Sequence, residues 1–312
     1  MYKVIVAGEL LFDMITHDYC DSLAEAKTFD KFYGGSPGNL TSNLKDLGLN
    51  PLIISRLGND PLGRSYKERL DSKEITTEYV QMDEVHHTSF VLICKSKGSP
   101  EFLPLREADY YLEIPLNFCK IIREADFFHT TTWPLSRKPA RTDLLKMIEI
   151  ARRSDVKISL EPNYRQILWE RGHNGRRFIR DLLKYLYLVK PSLDDAFHIF
   201  GEGNPDKQIQ RFHEYGVNNV ILTMGKEGSI ISDGKQIEKL ESVAKKVIDT
   251  TGAGDAFWAG AFYGLIKGKT IFESAKIGNI VSAFRIEHDK DKPLPNIKKI
   301  VKTYGLEGET CE

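Results

Sequence analysis

Short apolar runs that stop abruptly at glycine or polar clusters set the pattern of this chain. Val4-Ile5-Val6-Ala7 ends at Gly8 and is followed by Glu9 and Asp13. Val156 to Leu160 ends in Glu161-Pro162-Asn163-Tyr164-Arg165, and Asn219 to Thr223 leads into Met224-Gly225-Lys226-Glu227-Gly228. Tyr187 to Lys190 precedes a helical stretch from Leu193 to Phe200. Runs of this kind suit strands buried on both faces of a parallel sheet, and their alternation with helices from Phe127 onward predicts an α/β fold. Ligands of open α/β sheets gather outside the carboxyl ends of the strands. The repeated polar clusters therefore mark one crevice.

A different feature stands near the end of the chain. Asp249-Thr250-Thr251-Gly252-Ala253-Gly254-Asp255-Ala256-Phe257-Trp258-Ala259-Gly260 reads as a tight glycine turn that opens into a helix running to Leu265. The first N–H groups of a helix have no partner within it, and its dipole makes that end positive. Gly252 and Gly254 carry nothing that keeps an anion away from those groups, so the turn suits phosphate. Asp255 would repel a phosphate that was only bound. It fits if it takes a proton from a hydroxyl that attacks phosphorus while the amides stabilise the transferred group. A plain capped helix start, with Asp249 or Thr251 as the cap, is the other reading. Ala256, Ala259, Gly260, Ala261 and Gly264 predict close packing of this helix on the sheet.

Gly34-Gly35-Ser36-Pro37-Gly38-Asn39 is a second glycine cluster, followed by a helical stripe of Leu40, Leu44 and Leu47 that Gly48 ends. Asn39 offers a donor and an acceptor beside glycines that allow close approach, and a capped loop is equally open. Pro51 to Ser55 reads as a strand, with a helix from Pro61 through about Ser72. Ser89 to Cys94 and Glu101 to Leu105, joined by Lys97-Gly98-Ser99-Pro100, predict antiparallel structure beside the main sheet. Such an appendage can cover a site, and Arg106 at its end can meet either an anion or a surface carboxylate.

Lys+Arg and Asp+Glu both number 44 in 312 residues, so no global field recruits nucleic acid or membrane. Cys20, Cys94, Cys119 and Cys311 show no CxxC spacing and are expected as reduced thiols. Glu9 and Asp13 interrupt what would be a secretory apolar segment, and no apolar run is of membrane-spanning length. A soluble cytoplasmic protein is expected, as one domain over 1–312. The P-loop, the G-x-G-x-x-G turn and H-E-x-x-H are missing from the sequence. Phosphoryl transfer without a P-loop remains.

At this point the residues resemble the PfkB or ribokinase-like carbohydrate kinases. One signature is Gly35-x-Pro37-x-Asn39-x-Thr41, followed by Gly48 and Gly58, and the other is the Asp249–Gly260 stretch. Between them, Thr223-x-Gly225-x-x-Gly228 resembles the family's nucleotide loop. The resemblance implies a ribokinase-like three-layer α/β/α fold with a mostly parallel sheet and a small β lid, here about 10–33 and 76–112. It implies Asp255 as the base and Gly252, Ala253 and Gly254 as the anion hole. Asp13, Gly34, Gly35, Asn39, Arg106 and Arg165 would bind the sugar. Lys190, Ser192, Thr223, Gly225, Gly228 and Asn279 would serve ATP. Many members carry N-x-x-E to organise Mg²⁺ through water, and Ser192-Leu193-Asp194-Asp195 stands here, leaving Asp195 for that role. Asp249 and Thr251 fall where some members bind a monovalent cation such as K⁺. The implied partners are a small sugar and ATP, with a homodimer through the lid left open.

Gly8-Glu9-x-Leu11-x-Asp13 and Glu161-Pro162-Asn163-Tyr164-Arg165-x-x-Leu168-Trp169 resemble stretches of fructokinases, the second also of 2-keto-3-deoxygluconate kinases, with Glu161 replacing Asp. The keto-acid kinases often place tyrosine two residues before the lid arginine, where Pro104 stands here. Fructose is the expected acceptor. The alternatives are 2-keto-3-deoxygluconate and a non-catalytic relative kept for binding or regulation.

Overall fold

The computed structural model describes residues 3–95, 101–289 and 292–305. Thirteen strands fall into two sheets among these residues. The larger has the order β13 (Ile237–Leu240), β12 (Ser229–Ser232), β11 (Asn219–Thr223), β10 (Leu188–Val189), β9 (Lys157–Glu161), β8 (Phe127–Thr131), β1 (Val4–Ala7), β4 (Pro51–Gly58), β5 (Val80–Asp83). The seven strands from β11 to β5 are parallel, and β12 and β13 add an antiparallel edge. Ile5 and Ala7 of β1 pack into one core and Val4 and Val6 into another. That alternation is the period of a strand buried on both faces.

Helices Ala140–Arg153, Gly175–Leu183, Leu193–Phe200 and Pro205–Glu214 cover the first face. Helices Ser36–Asp46, Pro61–Ser72, Ala253–Ile266, Ile271–Ile286 and Ile297–Tyr304 cover the second. The result is three layers, α/β/α. The Ala253–Ile266 helix meets the sheet with large side chains, since Phe262 packs at 5.2 Å between centroids on Phe127 of β8 and Trp258 at 4.7 Å on His129. Its glycines, Gly260 and Gly264, face the other way. A Cβ on Gly260 would lie 2.7 Å from the Ile277 carbonyl oxygen, so this face allows the Ile271–Ile286 helix to approach, rather than the sheet as expected.

The smaller sheet has the order β3 (Phe29–Gly34), β2 (Leu11–Thr16), β6 (Phe90–Ile93), β7 (Phe102–Leu105). β2 pairs antiparallel with β3 but parallel with β6, while β6 and β7 form the antiparallel pair expected. The expected turn at 97–100 lies outside the described residues. β5 falls within the 76–112 stretch assigned to the appendage, yet it joins β4 at the edge of the larger sheet. Among the described residues no helix is long and apolar enough to cross a membrane.

Candidate active site

Gly252 takes a left-handed conformation, φ +74°, and starts the helix at Ala253. A side chain is disfavoured there by strain rather than space. Asp255 is therefore the third helical residue, and its carboxylate turns back toward the start of the Ser36–Asp46 helix. Ser36 Oγ donates to Asp255 Oδ1 at 2.5 Å and Asn39 Nδ2 donates to Oδ2 at 3.0 Å. Ser36 was not singled out from the sequence, although it stands between Gly35 and Pro37 in the glycine cluster. Burial raises the Asp255 pKa above its ordinary value, against the lowering effect of these two bonds and of the Lys190 and Arg285 charges. Among the proposed anion-hole amides, that of Ala253 donates at 3.2 Å to the Thr250 carbonyl, which closes the turn.

On one side of the turn lies a cavity of about 350 Å³ whose lining includes Asp13, Tyr33, Asn39, Tyr66, Thr251 and Gly252. Asp13 enters from the middle of β2. A Cβ on Gly34 would lie 2.6–2.7 Å from the Asp13 carboxyl atoms, so glycine at 34 is what lets the acid lie against β3. Gly35 follows with φ +88° and turns the chain into the helix. Tyr66 Oη donates to the Gly34 carbonyl at 2.8 Å and fixes the turn from below. The cavity continues past Asn43 to four cationic side chains: Arg69, Lys73, Arg285 and Lys292. Lys73 pairs with Asp46 at 2.6 Å, whereas Arg69 lies over the Tyr33 ring at 4.3 Å.

On the other side lies a cavity of about 400 Å³. Thr223, Gly225, Gly228 and Asn279 line it together with Thr250, Ala253, Gly254 and an apolar group that includes Val247, Phe257 and Ile286. The three residues of the nucleotide motif, Asn279 and Gly254 of the expected anion hole are thus brought to one hollow. Lys190 stands behind Gly254 and does not itself line the hollow. It is buried, and its Nζ lies 3.4 Å from where a Cβ on Gly254 would stand. Glu161 holds it at 2.8 Å and also accepts from the Trp258 indole. Burial is the main cause that raises the Glu161 pKa to about 7, with the Lys190 charge opposing it and the Asp195 carboxylate adding to it. Sequence reasoning placed Lys190 with the nucleotide but gave Glu161 and Trp258 no role.

Several expected site residues are engaged elsewhere. Arg106 is buried against Asp109, with Nε at 2.7 Å and Nη2 at 2.5 Å, and it also donates to Ser136 Oγ and the Trp133 carbonyl. It braces the polypeptide beneath the smaller sheet and lines neither cavity. Arg165 is exposed, donates to the neighbouring Tyr164 carbonyl and lines neither cavity. Ser192 is the N-cap of the Leu193–Phe200 helix and forms a capping box with Asp195. Asp195 also accepts the Tyr164 N–H at 2.7 Å, so three donors occupy its carboxylate. Asp249 accepts the Thr251 N–H at 2.8 Å, a turn-forming bond. Among the described residues no group of three acidic, histidine or cysteine side chains is placed to hold a metal ion. The donor set fits Mg²⁺ only as an ion held largely by nucleotide phosphates and water, with Asp195 offering its one remaining acceptor position to such a water.

The pfkB family carbohydrate kinase profile matches residues 1–296. The chain belongs to that family. An ATP-dependent 6-phosphofructokinase of Thermoanaerobacterium thermosaccharolyticum is 41% identical over 98% of this chain and 94% of its own length. The fructokinase structure of Halothermothrix orenii is 39% identical, with TM-score 0.80 over 89% of this chain and 97% of that one. The structure of an uncharacterized sugar kinase of Pyrococcus horikoshii in complex with ATP is 27% identical, with TM-score 0.83 over 96% and 97%. As a pfkB kinase, this chain is a sugar kinase with two hollows that meet at the turn before Asp255.

Proposed function

We propose that this sugar kinase moves the γ-phosphoryl group of ATP to a primary hydroxyl of a fructose-type ketohexose, with Asp255 as the base. The observation that carries this is the division made by the 250–254 turn. Thr251 and Gly252 line the polar hollow with Asp13 and Asn39, whereas Thr250, Ala253 and Gly254 line the partly apolar hollow with Asn279 and Phe257. The sugar occupies the first and the nucleotide the second. Asp255 accepts the hydroxyl proton, and the free amides at the helix start with Lys190 carry the charge of the group in transfer. Mg²⁺, when bound, shields the β- and γ-phosphates. Asp249 and Thr251 are retained as the monovalent-cation position, testable as KCl activation. Leu103 and Leu105, exposed on edge strand β7, support pairing of the smaller sheets in a homodimer.

A second reading has its own observation. Arg69, Lys73, Arg285 and Lys292 reach the far part of the sugar hollow, which suits an acceptor that already carries a phosphate, such as fructose 6-phosphate. The 41%-identical relative bears that activity in its name. A keto-acid acceptor is disfavoured because the arginine expected to meet its carboxylate, Arg106, is committed to Asp109. ADP release is to be measured with fructose, fructose 6-phosphate and 2-keto-3-deoxygluconate. The kcat/KM order among them decides the acceptor, and no turnover with either fructose compound sinks this proposal.

A further inference from the structure

Two thiols that the kinase reaction does not use meet at the end of the smaller sheet. Cys94 directly follows β6, and Cys20 lies four residues beyond β2, the strand that carries Asp13. Their Sγ atoms are 2.8 Å apart, closer than two unbonded sulfurs normally approach. Backbone contacts hold this register: Cys20 N–H donates to the Lys95 carbonyl at 3.2 Å, and Lys95 N–H donates to Thr16 Oγ1 at 2.8 Å. The Cys94 thiol reaches the Cys20 carbonyl at 2.9 Å. Cys20 is half-buried and open to a small reagent, whereas Cys94 is buried against it. A closure of about 0.8 Å would reach the roughly 2.05 Å length of a disulfide bond.

We propose that Cys20 and Cys94 are a reversible disulfide-forming pair that fastens β2 to β6. The oxidant is a low-molecular-weight disulfide such as oxidised glutathione. The Cys20 thiolate attacks one of its sulfurs and expels one glutathione thiolate. Cys94, giving up its proton, then attacks Cys20 Sγ and expels the second. Two protein thiols are oxidised, the external disulfide is reduced to two thiols, and the two protons pass to the departing thiolates. The hydrogen bond with Cys20 is the main cause that pushes the Cys94 thiol up to about 11, so the closing step quickens as pH rises. Linking positions so far apart in sequence restrains the unfolded chain and stabilises the folded one.

The test treats the full chain with oxidised glutathione and maps peptides without reduction. The expected result is one linked pair of peptides, from Cys20 and Cys94, two hydrogens lighter than the separate thiols. Two of the four thiols are lost to titration, Tm rises, and dithiothreitol reverses both changes. Cys20→Ser and Cys94→Ser, checked for folding by circular dichroism, should each abolish the link. A lasting glutathione adduct on Cys20, a link to Cys119, retention of all four thiols, or a link without a rise in Tm would each overturn the proposal.

Discussion

Replacing Asp255 by alanine removes the carboxylate proposed as the base. Its two carboxylate oxygens are held by Ser36 at 2.5 Å and Asn39 at 3.0 Å, and both donors belong to the helix that lines the sugar hollow. Loss of a general base costs ~10²–10⁴ in rate, which is about 2.7–5.4 kcal/mol of barrier at 1.36 kcal/mol per decade. Most of that loss should appear in kcat, because Asp13 and the nucleotide hollow are left in place. Burial raises the Asp255 pKa, so the acid limb of kcat/KM for the parent should lie above the ordinary aspartate range. Ser36→Ala removes a bond that lowers this pKa and should move the limb to higher pH. Coupled ADP release over a pH series measures both, with calorimetry for sugar binding to the alanine variant. Turnover of Asp255→Ala at the parent rate would refute the base assignment, and an unmoved limb in Ser36→Ala would refute the role given to its hydroxyl.

Gly34→Ala places a methyl group 2.6–2.7 Å from the Asp13 carboxyl atoms. Displacing that acid should raise the acceptor KM about 10–10²-fold and leave the ATP KM nearly unchanged, as initial-rate kinetics with each substrate varied will tell. Lys190→Met removes the buried cation beside Gly254 and should lower kcat by about 10²–10³, with Tm followed to separate folding from rate. Glu9 is buried, accepts from Thr131 Oγ1 at 2.8 Å, and has its pKa raised by desolvation from 4.5 to about 8. The folded state thus keeps a proton that the unfolded chain releases. The contribution of Glu9 to stability is full below pH 4.5 and is lost as pH climbs to about 8, by up to the order of 5 kcal/mol. Glu9→Gln, which cannot ionise, should match the parent near pH 5 and exceed its Tm at pH 8.5; equal pH slopes would contradict this.

What could be read from the sequence was mainly what glycine and spacing encode. The turn before Asp255, the double glycine before the Ser36–Asp46 helix and the nucleotide-loop glycines all report backbone geometry, and backbone geometry places them in the structure. Side-chain partnership was less legible. Asp109 stands three residues after Arg106, but nothing local tells that both are buried together under Trp133. Ser192-x-x-Asp195 is the spacing of a capping box, and the structure uses it so. The small residues of the Ala253–Ile266 helix announced a close contact, expected with the sheet, but Gly260 and Gly264 make it with the next helix.

Acids can crowd the proposed anion site without defeating it. The Asp255 carboxylate is held by Ser36 and by Asn39, which lines the hollow proposed for the sugar. Glu161 lies below the nucleotide side, where its charge is opposed by Lys190 and its pKa is lifted to about 7. If Glu161 is half-protonated near neutrality, Lys190 keeps much of its positive field for the incoming phosphates. As pH rises and Glu161 ionises, that field is increasingly cancelled. Nucleotide affinity should therefore weaken through pH 7–8 in the parent, and this weakening should vanish in Glu161→Gln. A parent whose ATP KM is flat across that window would show that Glu161 is no more than a structural partner of Trp258.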